Sequence, residues 1–440
     1  MYIDPLFMQF TDGLEKDKYV IATYYVANEK TVEAVKYAAA LAVEQTTGTW
    51  TPVPDETEEV REKHLGRVVG IYEVPAYSYE YPEDLKERQF VMRVAFPAKN
   101  FGAQFAMMFT TIIGNISSMG KLKLLDVEFP DWYLKEFKGP KFGVEGIRKL
   151  LNAYDRPLLN NMIKPCVGLN PEQTAALAYK VALGGVDIIK DDELTANPPH
   201  CPLIERVKAV MPAIKAADEE KGETTLYTFN ITDRTDRLRE NALRAIEAGA
   251  NALMVNSWPI GLDACRMLAE DPDINVPILS HCDMQGGLYE SPWSGISANL
   301  VCAKLPRLAG LDMAIVLSPY GKFPITMDAF IQVGYACLTP WQHVKPMMPM
   351  PGGGTTQGHI EELVHKFGKD IIIAAGGGVI GHPMGPVAGG KGFRQGIDAV
   401  MKGISLKEAA QDPQNVELKA AIDAWGIYGE KNIFDLKKSK

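Results

Sequence analysis

From about residue 155 onward, short apolar runs alternate with helical segments in a regular rhythm. The runs are NMIKPCV (161–167), VDIIKDDE (186–193), TLYTFNIT (225–232), ALMVNSW (252–258), VPILSHC (276–282), MAIVLS (313–318), KPMMPMP (345–351) and DIIIAAGGG (370–378). Helical patterns such as PEQTAALAYKVALGG (171–185), TDRLRENALRAIEAGA (235–250) and HIEELVHKFG (359–368) lie between them, and Gly or Asn commonly punctuates the helix ends. Eight strand–helix repeats over about 250 residues predict a closed (β/α)8 barrel. No other feature restricts the fold as strongly.

The first ~130 residues read differently. YVIATYYVA (19–27) is rich in β-formers, and TVEAVKYAAALAVEQ (31–45) has helical spacing with Thr31 as a plausible N-cap. Strand-like runs RVVGIYEV (67–74) and QFVMRVAFP (89–97) follow, then a helix within 101–118. This order predicts a small sheet with helices on one face, an α+β unit of ferredoxin-like type. The expected organisation is an N-terminal α+β domain over 1–135 and a barrel with C-terminal helices over 136–440.

Composition removes several function classes. With 440 residues, a net charge of −9 and scattered basic residues, the chain is not built to bind nucleic acid. No apolar run approaches the ~18–20 residues needed to cross a bilayer, and MYIDPLFMQFTDGLEKDKY lacks the layout of a signal peptide. The six cysteines include no C-x-x-C pair and are too sparse for a disulfide framework. The expectation is a cytoplasmic protein with reduced thiols.

Active sites of such barrels lie at the carboxyl ends of the strands, and polar residues cluster there. Strand 1 ends near Lys164, strand 2 in Lys190-Asp191-Asp192-Glu193, and strand 5 in His281-Cys282-Asp283. Strand 6 leads into Ser318-Pro-Tyr-Gly-Lys322, and strands 7 and 8 end in glycine triplets at 352–354 and 376–378. Alternation puts Lys190 and Asp192 on one face, with Glu193 free to turn inward. Two carboxylates suit a hard cation such as Mg2+. A bare ammonium would be repelled beside that cation, whereas a carbamylated lysine would add an anionic oxygen. The other reading of these charges is a salt-bridged cluster on a loop. Glycine triplets let backbone N–H groups approach an anion, and strands 7 and 8 carry the common phosphate site of this architecture, although glycines also simply make turns.

These residues together resemble the RuBisCO superfamily. GGVDIIKDDE (184–193) is similar to the segment holding the carbamylated lysine and two metal-ligand carboxylates, which implies Mg2+ on Lys190 (as its CO2-derived carbamate), Asp192 and Glu193. MIKPCVGL (162–169) resembles the strand bearing the catalytic base, here Lys164. EQTTGTW (44–50) looks like the motif that reaches a neighbouring subunit's site, placing Glu44 near the loop lysine and Thr49 and Trp50 at the phosphate. TTIIGN (110–115) matches the stretch ending in an asparagine near the metal, here Asn115. AAGGGVIGHP (374–383) resembles the strand-8 phosphate loop. The resemblance therefore implies a homodimer with shared sites and a phosphate held by Thr49, Trp50, Gly353, Gly354, Gly376 and Gly377.

Departures from the family pattern bear on the reaction. KPK reads Lys164-Pro165-Cys166, and the arginine after the conserved His281 is Cys282. The histidine of strand 6 is Ile315, and the serine opening the strand-7 glycines is Gly352. Arginine, histidine and serine hold the second phosphate in carboxylases, so their loss favours a monophosphate over ribulose bisphosphate. GPKFGVEGIRKLL (139–151), GLDACRMLAEDPDINVPI (261–278) and SPYG (318–321) are more like the form IV, RuBisCO-like enolases of methionine salvage. Those enzymes enolise 2,3-diketo-5-methylthiopentyl-1-phosphate, with a base from the N-terminal domain whose equivalent would be Lys99 in FPAKNFG (96–102). GGGTTQGHI (352–360) departs from that branch. Lys322 suits instead a decarboxylase or C–C hydrolase of a 3-oxo sugar acid such as 3-oxo-isoapionate 4-phosphate. A non-catalytic sugar-phosphate-binding regulator is the third reading. The enzyme readings share an enolate or enediolate, with Lys164 or Lys99 moving the proton.

Overall fold

The computed structural model describes residues 8–48, 53–321, 323 and 325–429. Its contacts divide the chain into two compact units, Met1–Phe137 with Met284–Val301, and Lys138–Asp283 with Cys302–Lys440.

The first unit is built on β1 (Tyr19–Glu29), α1 (Ala34–Glu44), β2 (Arg67–Glu73), β3 (Glu87–Pro97), a helix over Phe105–Ile113 and β4 (Lys121–Glu128). The strands stand in the order β4-β1-β3-β2, each antiparallel to its neighbour, which is the ferredoxin-like arrangement. A two-residue strand, Gly295–Ile296, joins β4 in parallel and makes the sheet mixed. Alternation along β1 sends Tyr24 to one face, where its hydroxyl donates to the carbonyl of Ile112 on the overlying helix. Ile21 goes to the other face and packs with Leu14, Val69 and Ala95.

One local expectation changes, and one strand had no expectation. The helix begins after Glu33, which makes no side-chain cap bond, so Thr31 is not its N-cap. The run KLKLLDVE (121–128) carries alternating lysines that mask its β-character in sequence. In the sheet Leu122, Leu124 and Val127 are buried, and the intervening polar residues stay more exposed.

The second unit is a closed barrel of eight parallel strands. They span Leu158–Met162, Ile188–Lys190, Leu226–Asn230, Ala252–Asn256, Ile278–His281, Met313–Leu317, Met348–Gly352 and Ile372–Ala374. Each sits inside or overlaps its expected run. The strands are shorter than the runs because parallel pairing stops where side chains turn to function or to loops.

The interior reveals how the site is positioned. At one level every strand contributes an apolar residue to a single cluster: Leu158, Ile188, Leu226, Ala252, Leu279, Met313, Met348 and Ile372. Two residues further along, the strands divide. Met254, Ile315, Met350 and Ala374 continue the apolar cluster, while Asn160, Lys190, Thr228 and His281 are buried polar groups. The barrel mouth is therefore half apolar and half polar, because a strand's side chains on one face recur every second residue.

Arg307, only 1% exposed, anchors the approach to the seventh strand. It donates to the carbonyls of Lys345 (2.8 Å), Ala336 (3.2 Å), Thr339 (2.6 Å) and Val344 (2.7 Å). Burial lowers its pKa to about 10. Replacing it with methionine fills the space but strands these carbonyls in the interior. Arg307→Met should lower unfolding stability by about 3–5 kcal/mol, read as a shifted denaturant midpoint. A loss below about 1 kcal/mol would show that the carbonyls have other donors.

Candidate active site

At the carboxyl end of the second strand the chain reads Lys190-Asp191-Asp192-Glu193, and alternation sends the four side chains to different tasks. Lys190 is fully buried and donates to the carbonyl of Asp191 (2.8 Å) and to Glu193 Oε2 (3.3 Å). His281, from the end of the fifth strand, brings Nε2 within 3.3 Å of the same Glu193 oxygen. Its Nδ1 faces Asp283 Oδ2 at 2.9 Å. Lys164, just past the first strand, donates to Asp192 Oδ2 (2.5 Å) and to Cys166 Sγ (3.1 Å). Lys164, Lys190, Asp192, Glu193 and His281 thus come from three strand ends and converge.

Asp191 points the other way. It accepts from Arg206 Nε (3.0 Å), from the Tyr227 hydroxyl (2.7 Å) and from the Asn230 N–H (2.9 Å), all buried. It is an anchor for the strand end, leaving Asp192 and Glu193 to face the mouth. Two asparagines that sequence reasoning passed over hold this turn. Asn230 donates to the carbonyls of Asp192 (3.4 Å) and Glu193 (3.0 Å), and Asn256 donates to that of Glu193 (3.2 Å). Both stand at the last position of a barrel strand, which was the available signal.

The electrostatics follow from these contacts. Burial alone would raise the Glu193 pKa, but Lys190 and His281 hold it down at about 2. Burial and the neighbouring Lys190 cation lower the His281 pKa, so this imidazole is neutral near pH 7. Burial alone would lower the Lys164 pKa, but its hydrogen bonds with Asp192 and Cys166 outweigh that and raise it. Burial pushes the Cys282 thiol up to about 12, so it is an uncharged, weakly polar group.

Among the described residues no set of three His, Cys, Asp or Glu side chains could hold a metal by itself. Asp192 and Glu193 supply hard oxygen donors, and a third anionic ligand would have to come from Lys190. A carbamate turns that cation into an anion, and a divalent ion restores the balance. The donor set fits Mg2+ on that condition.

The glycine segments lie on the apolar side. Gly353 and Gly354 have φ of 105° and 80°, a region that favours glycine. A Cβ on Gly354 would also meet the Cα of Gly321 at 2.6 Å. Gly376 lies beside Lys164, whose Cε would stand 3.8 Å from a Cβ at that glycine. Ile315 is buried in the apolar cluster, and Cys282 and Leu317 pack on it.

Glu44, Lys99 and Asn115 belong to the first unit and are exposed. Glu44 ends α1, Lys99 sits in a turn over Ala98–Asn100, and Asn115 opens the turn Asn115–Ser118. Gln45 Oε1 accepts from the Ile116 N–H (3.4 Å), Thr46 Oγ1 accepts from the Gly66 N–H (3.1 Å), and Asn100 Nδ2 donates to the His64 carbonyl (2.9 Å). These bonds gather the three segments at one end of that unit. Thr49, Trp50 and Lys322 lie outside the described residues.

A ferredoxin-like unit joined to a barrel with lysines and carboxylates at its strand ends defines a two-domain α/β enzyme class. Residues 143–425 match the family described as ribulose bisphosphate carboxylase large chain, catalytic domain, and residues 11–133 match its N-terminal domain. The chain belongs to the ribulose bisphosphate carboxylase large-chain family. It is 49% identical over 412 residues to a ribulose bisphosphate carboxylase-like protein of Archaeoglobus fulgidus, covering 93% of this chain and 94% of that one. It is 38% identical over 409 residues to the 2,3-diketo-5-methylthiopentyl-1-phosphate enolase of Bacillus pumilus, covering 92% of this chain and 98% of that one. The crystal structure of a rubisco-like protein (MtnW) from Alicyclobacillus acidocaldarius superposes with a TM-score of 0.85 at 37% identity, covering 93% of this chain and all of that one. The chain is an enzyme of the RuBisCO-like class. No helix among the described residues is long and apolar enough to cross a membrane.

The two neighbouring aspartates should separate in the test tube. Asp191→Asn should cost about 3–5 kcal/mol of stability, because Arg206 loses its buried counter-charge. Asp192→Asn should cost under about 1 kcal/mol, since Lys164 is partly exposed. Chemical denaturation of both variants checks this, and the reverse order would show that the anchor has been misassigned.

Proposed function

We propose that this protein forms an enolate from a phosphorylated ketone, with 2,3-diketo-5-methylthiopentyl-1-phosphate as the substrate, and that it does not fix CO2 onto ribulose bisphosphate. The observation that carries this reading is the divided barrel mouth. A lysine–carboxylate cluster lies on one side, and uncharged Cys282 and Ile315 stand at the positions where the family resemblance sets the arginine and histidine of a second phosphate site. The enolase name carried by a relative 38% identical over nearly its whole length supports the choice of substrate.

The proposed cofactor is Mg2+ on Asp192, Glu193 and carbamylated Lys190, where it would stabilise developing enolate charge as a Lewis acid. The chain's own groups do the rest. Asp192 raises the Lys164 pKa in the structure, so engaging Asp192 elsewhere releases Lys164 toward its neutral, proton-accepting form. Base activation would then follow cation binding. Lys99 is the alternative base, and neutral His281 can accept or pass a proton beside Glu193. Gly353, Gly354, Gly376 and Gly377, with Thr49 and Trp50, would hold the phosphate so that the reacting carbon stays aligned. Glu44, Asn115 and Lys322 would complete the site from the N-terminal domain and the strand-6 loop. Because the family pattern draws the N-terminal residues from a second copy, the working form is a homodimer, and the expected compartment is the cytoplasm.

The direct test is proton exchange at carbon, followed by NMR in D2O with Mg2+ and bicarbonate. The panel is the diketone phosphate, 3-oxo-isoapionate 4-phosphate and ribulose bisphosphate. Exchange or enol formation with the diketone alone is the expected result. CO2 release from the oxo acid would transfer the assignment to a decarboxylase and give Lys322 its role, and reaction of the bisphosphate alone would overturn the monophosphate reading. Lys190→Ala should abolish Mg2+-dependent turnover, a fall of at least about 1000-fold, while circular dichroism shows the fold retained. Full activity in that variant would sink the metal assignment.

A further inference from the structure

A backbone anion site needs its N–H groups free and its carbonyls turned away and satisfied. Among the described residues, the N–H groups of Gly376, Gly377 and Gly378 have no hydrogen-bond acceptor. Their neighbouring carbonyls, by contrast, are satisfied: that of Gly376 accepts from the N–H groups of Val379 (3.2 Å) and Ile380 (3.1 Å), that of Gly377 from Gly381 (2.8 Å), and two side-chain amides that the sequence reading did not single out reach those of Ala375, Gly376 and Gly378. Asn161, on the first strand, donates Nδ2 to the carbonyls of Ala375 (2.7 Å) and Gly376 (3.2 Å). Gln357, beyond the strand-7 glycines, donates Nε2 to the carbonyls of Gly378 (3.1 Å) and Gly389 (3.0 Å). Both side chains are fully buried. The segments they join are in close contact, since a Cβ on Gly378 would stand 2.6 Å from the Thr355 carbonyl oxygen.

We propose that Asn161 and Gln357 are positioning residues for the phosphate site. Their amides fix the strand-8 glycine segment from behind, and Gln357 also locks it to the strand-7 segment, so that the free N–H groups of Gly376, Gly377 and Gly378 keep one position relative to the strand-7 glycines for one anion. Neither side chain need touch the ligand. The inference rests on the phosphate reading above and adds what holds that site in shape. An amide is suited to this task because its two N–H donors can serve two carbonyls without adding charge beneath a bound anion. A leucine of similar size offers no donor, and a carboxylate would repel both the carbonyls and the phosphate.

The test uses the full-length protein and inorganic phosphate as the probe, with affinity measured by calorimetry and stability by thermal unfolding. Asn161→Leu and Gln357→Leu should each weaken phosphate binding at least 10-fold. The comparator is Asn251→Leu, which removes an equivalent amide. Asn251 bonds the Thr225 carbonyl (2.8 Å) and the Tyr227 N–H (2.8 Å) at the opposite ends of the strands. It should lower the melting temperature while leaving phosphate affinity within 2-fold of the parent. If a leucine variant does not fold, Gln357→Glu, which keeps the shape and loses the donors, should show the same loss of affinity. Unchanged affinity in Asn161→Leu and Gln357→Leu would overturn the proposal, as would an equal loss in Asn251→Leu. Gly377→Val separates the two levels of the argument. If the parent binds phosphate and Gly377→Val does not, the site reading stands and the amide variants alone decide the inference. If the parent binds none, the site reading falls and the inference with it.

Discussion

The ammonium of Lys190 is buried at the end of the second barrel strand, and the surrounding site is organised around that charge. A lysine without water costs several kcal/mol unless an anion meets it. Here Glu193 turns back to do so, and His281 shares the same carboxylate oxygen. That turn is possible because Asn230 and Asn256 hold the carbonyls of the Asp192–Glu193 turn, and because Asp191 is tied to Arg206 and Tyr227 on the far side. Four consecutive charged residues therefore do separate work. One is the buried cation, one anchors the strand, and two present carboxylate oxygens to the mouth.

From that point the division of the barrel interior has chemical meaning. The first, second, third and fifth strands bring buried polar groups to the mouth, Asn160, Lys190, Thr228 and His281. The fourth, sixth, seventh and eighth continue the apolar column through Met254, Ile315, Met350 and Ala374, the last two leading into glycine-rich turns. A ligand lying across the mouth would meet the lysine–carboxylate cluster on one side, and free N–H groups with apolar surface on the other. On the proposed reading, such a surface takes one phosphate of an otherwise modestly charged molecule. A bisphosphate would leave its second anion against Cys282, whose thiol stays uncharged, and against aliphatic side chains.

Much of this was legible in the chain itself. The eight barrel strands and the helix–strand alternation follow from periodicity, since burial on both faces of a parallel strand demands unbroken apolar runs. The KDDE cluster stood out because it ends such a run. Alternation past Lys190 set Asp192 on the lysine's face and left Glu193 free to turn inward. What could not be read was the set of tertiary partners, Arg206, Tyr227 and Asn230, that holds Asp191 on the other side. Asn161, Asn230, Asn256 and Gln357 were missed because single amides carry no periodic or charge signal, and their value lies in backbone carbonyls distant in sequence. The strand over 121–128 was hidden by half-buried lysines alternating with its leucines, and Thr31 failed as a cap because the helix starts three residues later.

On the proposed reading, Lys190 changes from a paired ammonium to an anionic ligand when CO2 and Mg2+ are present. Carbon-13 NMR of the protein with 13C-labelled bicarbonate, with and without Mg2+, reads this without depending on any substrate. A carbamate resonance that Mg2+ stabilises and that is lost in Lys190→Ala is the expected result. A spectrum with no Mg2+-stabilised carbamate, or one unchanged by removing Lys190, would contradict it and leave Lys190 as the buried partner of Glu193.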